Sequence, residues 1–181
     1  AFNALYLSGG PNYNGSFRNI KVIRNGQEMA VLDVYDYIIN GNSQANIPLH
    51  DGDVVLVPTY EKRVRVGGEF IRTGIFEGKD GETIADIIKY AGGFKEYAYK
   101  NRVELHRNNG REYEMVDLFQ EMYNQVAVQT GDSIIAGRIL ERFANRVSIN
   151  GAVFRPGVYE LTSGMTLKQL IDKADGVRED A

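Results

Sequence analysis

The chain has 181 residues, 43% of them hydrophobic, with a net charge of −3 and no cysteine. That length allows one or two ordinary domains, or two to three small ones. The missing cysteines exclude disulfides, thiolate metal sites, iron–sulfur clusters and cysteine nucleophiles.

In chain order, Ala1, Ala4, Leu5 and Ser8 fall on the spacing of a buried helical stripe, with Gly10 placed to end the helix. Residue 1 is thus expected to lie inside a helix, and the chain to be a piece of a longer protein. Ile20 to Asn25 reads as a strand and Asp33-Val34-Tyr35-Asp36 as a short helical turn. Asp51-Gly52-Asp53 lacks the further oxygen ligands of a calcium loop and reads as the turn into a strand at Val54-Val55-Leu56.

Val64 and Val66 alternate with Arg63 and Arg65, which suits a strand with one buried face. Gly67-Gly68 and Gly74 bracket a second short strand, Ile75-Phe76-Glu77. Thr83 with Asp86 three residues on predicts a capping box, and Ile84, Ile87, Ile88 and Ala91 form the stripe of the helix that follows. Each large member contributes roughly 1.5–3 kcal/mol on full burial, so the stripe outweighs a cap of about 1 kcal/mol. Gly93 is expected to end the helix in a left-handed conformation.

Val103 to Arg107 then alternates in period two, Asn108-Asn109-Gly110 turns the chain, and Tyr113 to Val116 returns. Asp117-Leu118-Phe119-Gln120 is expected to form a short helical turn, and Thr130-Gly131-Asp132 leads into Ser133-Ile134-Ile135.

The stretch Val64 to Ala98 then recurs, without a gap, as Val147 to Ala181, 83 residues on. Twelve of the thirty-five pairs are identical and several others exchange one apolar residue for another, so the repeat defines the building unit. In this later copy Arg155-Pro156-Gly157 predicts a type II turn, Thr166 and Gln169 the cap, Leu167, Leu170, Ile171 and Ala174 the stripe, and Gly176 the helix end. The offset also reaches backward: Ser8-Gly9-Gly10 matches Ala91-Gly92-Gly93, and Ile20 to Asn25 matches Val103 to Asn108. After one inserted residue, Asp33-Val34-Tyr35 is matched to Asp117-Leu118-Phe119. The expected organisation is the rear part of a first unit (1–58), a complete unit (63–137) and the front part of a third (146–181). Hairpin, helix, hairpin, short helix and strand, in that order, predict an α+β fold of the β-grasp kind, a mixed sheet with one packed helix per unit.

The later copy reads Gly151-Ala152-Val153-Phe154-Arg155-Pro156-Gly157-Val158-Tyr159-Glu160-Leu161, then Gly164, Thr166-Leu167 and Leu170-Ile171. With Ala-Gly-Gly, a strand ending in Arg, and a late Gly-Asp, this pattern resembles the soluble-ligand-binding β-grasp (SLBB) domain. Thr73 departs from it at the turn proline and Asp175 at the first glycine of Ala-Gly-Gly. Tandem copies resemble the Wza-like outer-membrane polysaccharide export family. That resemblance implies a non-enzymatic periplasmic module associated with the outer membrane, whose partners are copies of itself in a ring, the polysaccharide, and an inner-membrane polysaccharide co-polymerase. The alternative it leaves open is a module binding a small ligand, cobalamin-like or oligosaccharide.

No catalytic or metal site and no cofactor are expected. His50 and His106 are the only histidines and have no partner at ligand spacing; Gly74 to Asp80 lacks the spacing of a phosphate loop. Lys21, Lys62, Arg63 and Arg65 form no basic stripe, so no nucleic-acid partner is expected. No apolar run reaches the roughly 18 residues of a membrane helix. Tyr13, Phe17, Tyr97 and Tyr99 lie on the loops after the Gly-Gly corners, and with Arg24, Lys100 and Arg107 they are the candidates for glycan contact; packing or subunit contact is the competing reading. Gly74, Pro156 and Gly157, the helix-ending Gly10, Gly93 and Gly176, and Thr83 and Thr166 are assigned to turns and caps.

Overall fold

The computed structural model describes residues 1–179 and separates into two compact units, the first Ala1–Ile139 and the second beginning at Leu140. The first unit runs α1 (Phe2–Leu7), β1 (Ile20–Arg24), β2 (Gln27–Leu32), α2 (Val34–Asn40), β3 (Val54–Leu56), β4 (Lys62–Gly68), β5 (Gly74–Gly78), α3 (Ile84–Tyr90), β6 (Ala98–Asn108), β7 (Tyr113–Phe119), a 3-10 turn (Gln120–Met122) and β8 (Ser133–Arg138). The second runs β9 (Arg146–Ile149), β10 (Gly157–Glu160) and α4 (Leu167–Lys173).

Five strands of the first unit form one sheet in the order β5-β4-β8-β6-β7. β4 and β8 run parallel and every other neighbouring pair is antiparallel. Alternation on β4 sends Val64 and Val66 into the core, where they meet Ile84, Ile87 and Ile88 of α3 and Leu105 and Ile134 of the neighbouring strands. A helix laid across one face of a mixed sheet in this order is α+β and β-grasp-like. Gly68 makes the closest approach, with φ at +79° and the Ala136 carbonyl oxygen 2.1 Å from where a Cβ would stand, so no side chain fits there.

Residues 1–58 of the same unit build a smaller sheet, β2-β1-β3, around Ile20, Val22 and Leu32, with Phe2 and Leu5 of α1 packed on it. Two sequence expectations change here. Ile20 pairs with Leu32 and Val103 with Leu118, so Leu32 corresponds to Leu118, and the matching of Asp33 to Asp117 is two residues out of step. The cause is turn length: Asn25-Gly26, both at positive φ, closes the first hairpin in two residues, while the second takes four after Asn108. As a result Asp117 to Phe119 is strand and the helical turn comes afterwards, at Gln120–Met122, whereas Asp33 caps a seven-residue α2 by accepting from the Tyr35 and Asp36 N–H groups. On α1 the expected stripe is only half-buried at Ala1, Ala4 and Leu5, and Ser8 is exposed.

The second unit, taken by itself, repeats residues 62–98 of the first in detail. Arg63 pairs with Glu77 and Arg146 with Glu160; Val66 pairs with Gly74 and Ile149 with Gly157. Phe70 bridges to Phe94 as Val153 bridges to Val177. Both helices open on capping boxes: the Thr83 N–H donates to the Asp86 carboxylate at 2.8 Å, and the Thr166 N–H donates to the Gln169 side-chain oxygen at 2.8 Å. Gly10, Gly93 and Gly176 all stand at positive φ after their helices. The type II turn expected at Pro156-Gly157 does not form, because Gly157 lacks a positive φ and joins β10; the left-handed residue of that connection is Gly151.

Candidate functional site

The face of the five-stranded sheet turned away from α3 carries the side chains that β4 does not bury. Register across four strand pairings lines up Ile75, Arg65, Ser133, His106 and Met115 in one rung. Above it lies a hollow of about 510 Å³ lined by Tyr13, Tyr60, Arg63, Arg65, His106 and Tyr113 among others. A second hollow of about 430 Å³ shares Tyr13, Arg63 and Ile75 and continues to Phe17, so the two form one groove. The Arg63 guanidinium is held between two rings, 3.8 Å from the Tyr60 centroid and 4.8 Å from that of Tyr13, and donates to the Tyr13 carbonyl. Such stacking fixes a cation without neutralising it.

Within the groove the Arg65 guanidinium is exposed and has no ion-pair or hydrogen-bond partner among the described residues. His106 Nε2 is shielded from water and accepts or donates no hydrogen bond, with a Glu104 carboxylate oxygen 3.9 Å away. Glu104 is itself held by Arg102 at 3.0 Å. A buried polar atom without a partner is uncommon in folded proteins; the His106 ring lines the hollow, with its Nε2 enclosed.

Two of the arginines singled out from sequence are engaged elsewhere. Arg24 grips Asp53 through Nε and Nη2, both at 2.8 Å, and Arg107 grips Asp132 at 2.9 and 2.7 Å. Each aspartate also accepts a backbone N–H three residues upstream, from His50 and from Gln129. These are the same clamp twice, fixing the turn into β3 and into β8. The hydrogen bond from Arg24 and the His50 N–H hold the Asp53 carboxyl well below the usual carboxylate range. Tyr13 and Phe17 do line the groove. Tyr97, Tyr99 and Lys100 do not; they lie exposed at the start of β6, with Arg138 over the Tyr97 ring at 5.2 Å.

A buried ionic network joins the two sheets of the first unit, and no sequence signal singled it out. Arg18, 5% exposed, donates to Asp33 and, at 2.6 Å, to Glu82, and lies between the Tyr35 and Tyr90 rings. Ser16 Oγ and the Phe17 N–H donate to Glu77 at 2.5 and 2.7 Å, while Tyr90 donates to Glu82. Burial alone pushes the Asp33 carboxyl up, but hydrogen bonds from Arg18 and Lys79 outweigh it and hold the group below its ordinary range. Every polar group named here has a partner, so the network reads as a joint.

Among the described residues no three His, Asp or Glu side chains are grouped to hold a metal ion, and no helix is long and apolar enough to cross a membrane. The family model of the SLBB domain matches residues 63–116 and 146–181. Those two segments are similar to SLBB domains, in keeping with the β-grasp-like fold. A search of curated proteins found no match.

Proposed function

We propose that this chain is a non-enzymatic module of a periplasmic polysaccharide export protein, packing with copies of itself into an oligomeric translocon and presenting the Tyr13–Arg63–Tyr113 groove to the glycan. The observation that carries the reading is the joint at Arg18. It makes a composite body of two repeated sheets, as a protein built by stacking SLBB repeats requires. The groove adds exposed aromatic rings beside fixed cations, a combination that suits sugar faces and acidic substituents. A ring requires unlike patches to meet around an axis. Light scattering on the full-length parent protein is expected to return a large closed oligomer; a strict monomer at micromolar concentration overturns the reading.

A second reading, a small-ligand module, is favoured by one feature. A largely apolar hollow of about 650 Å³ lies between α1 and α2, lined by Phe2, Leu5, Tyr37 and Ile38. Ligand sites are commonly of this size and character. Calorimetry with cobalamin separates the two: saturable heat supports the small-ligand module, and none removes it.

A further inference from the structure

We infer that the outer face of the five-stranded sheet is a subsite for a sugar bearing a carboxylate, with Arg65 and His106 receiving the anion across Ser133 and Tyr113 stacking on the ring. The inference rests on the glycan-contact part of the reading above and gives it a chemical class.

Register carries the geometry. Arg65 and His106 each pair with Ser133, from the two strands that flank β8, so their side chains rise on either side of one hydroxyl. Strands lie about 4.8 Å apart, which leaves roughly 10 Å between the two backbones. The exposed Arg65 guanidinium can meet an anion in that interval, where the His106 ring lines the same hollow. The guanidinium presents two parallel N–H groups to the two oxygens of a carboxylate. Ser133 supplies a hydroxyl between them.

Charge carries the selectivity. Arg63 and Arg65 stand together in a chain whose net charge is −3. The acidic groups nearby are taken: Asp132 by Arg107, Glu104 by Arg102 and Glu77 by Ser16 and Phe17. The Arg65 guanidinium has no partner among the described residues, and neither does the enclosed His106 Nε2. Tyr113 and Tyr13 flank them at 76% and 77% exposure, offering ring faces to an apolar sugar surface. The pair is also particular to this copy. Ser148 holds the place of Arg65 in the later copy, and Ile23 that of His106 in the earlier one, so the repeat itself does not demand them.

The test is calorimetric titration of the 181-residue chain with a short oligogalacturonate, its fully methyl-esterified form, and acetate. The acid form is expected to bind at least about tenfold more tightly than the ester, the worth of one charge-assisted hydrogen bond. Arg65→Gln, at an exposed position, should remove that preference while leaving the thermal unfolding curve unchanged; His106→Gln should reduce it, and Tyr113→Ala should weaken acid and ester alike. Equal affinity for acid and ester overturns the inference, as does an Arg65→Gln protein that keeps the preference. Acetate binding as tightly as the oligosaccharide would reduce the site to a simple anion site and overturn the sugar assignment. Absence of binding by both oligosaccharides removes the subsite but leaves the light-scattering test of the oligomer untouched, so the two failures are distinguishable.

Discussion

Residues 62–98 and 146–178 share a hairpin register, a capped helix and a left-handed glycine, yet they bury their equivalent side chains to very different extents. Ile84 and Ile87 of α3 are fully enclosed, whereas Leu167, which holds the place of Ile84, is 71% exposed. Glu77 is buried and accepts from Ser16 and Phe17, while Glu160, an identical residue at the identical rung, is exposed. The difference teaches which level of structure each feature belongs to. Turn, cap and pairing follow from the local sequence and appear in both segments. Enclosure of the α3 stripe comes from β6, β7 and β8, which complete the sheet beneath it.

That contrast can be broken by paired substitutions. The largest expected effect is at the helix stripe: Ile84→Ala should lower stability by about 2–5 kcal/mol, and Leu167→Ala by less than about 0.5 kcal/mol, both read from urea unfolding followed by circular dichroism. Comparable losses at the two sites would mean that the stripes are equally enclosed. Next comes the shared glutamate. Glu77→Ala strands the Ser16 and Phe17 donors and should cost about 3 kcal/mol; Glu160→Ala should stay within about 0.5 kcal/mol. The smallest effect sharpens the comparison from the other side. Thr83→Ala and Thr166→Ala should each cost about 1 kcal/mol, alike in both segments, because a cap acts on its own first turn. A cap that mattered in only one segment would contradict the local origin claimed for it.

Much of this architecture was legible from residues alone, for the reason just given. The 83-residue repeat, both capping boxes and the three helix-ending glycines depend on neighbours within a few positions, and they stand where the spacing put them. Features that depend on distant partners were misjudged or missed. Arg24 and Arg107 were visible as a repeated residue, but their aspartates lie 29 and 25 residues away, and nothing local announces a clamp. The correspondence of Asp33 with Asp117 failed because two hairpins of different turn length hide a two-residue offset. Arg63 and Arg65 were dismissed as too few for a basic stripe; strand alternation does put them on one face, but only the completed sheet brings His106 and three tyrosines beside them. Arg18 gave no signal, since it has no counterpart in the repeat.

That last point reaches beyond this molecule. Asn101 occupies the position of Arg18 one repeat later, and an amide brings neither the charge nor the fork that Asp33 and Glu82 require. Shuffling the copies would thus take from two half-buried carboxylates the one guanidinium that bridges them, so the repeats, for all their likeness, are written in a fixed order and are not interchangeable beads.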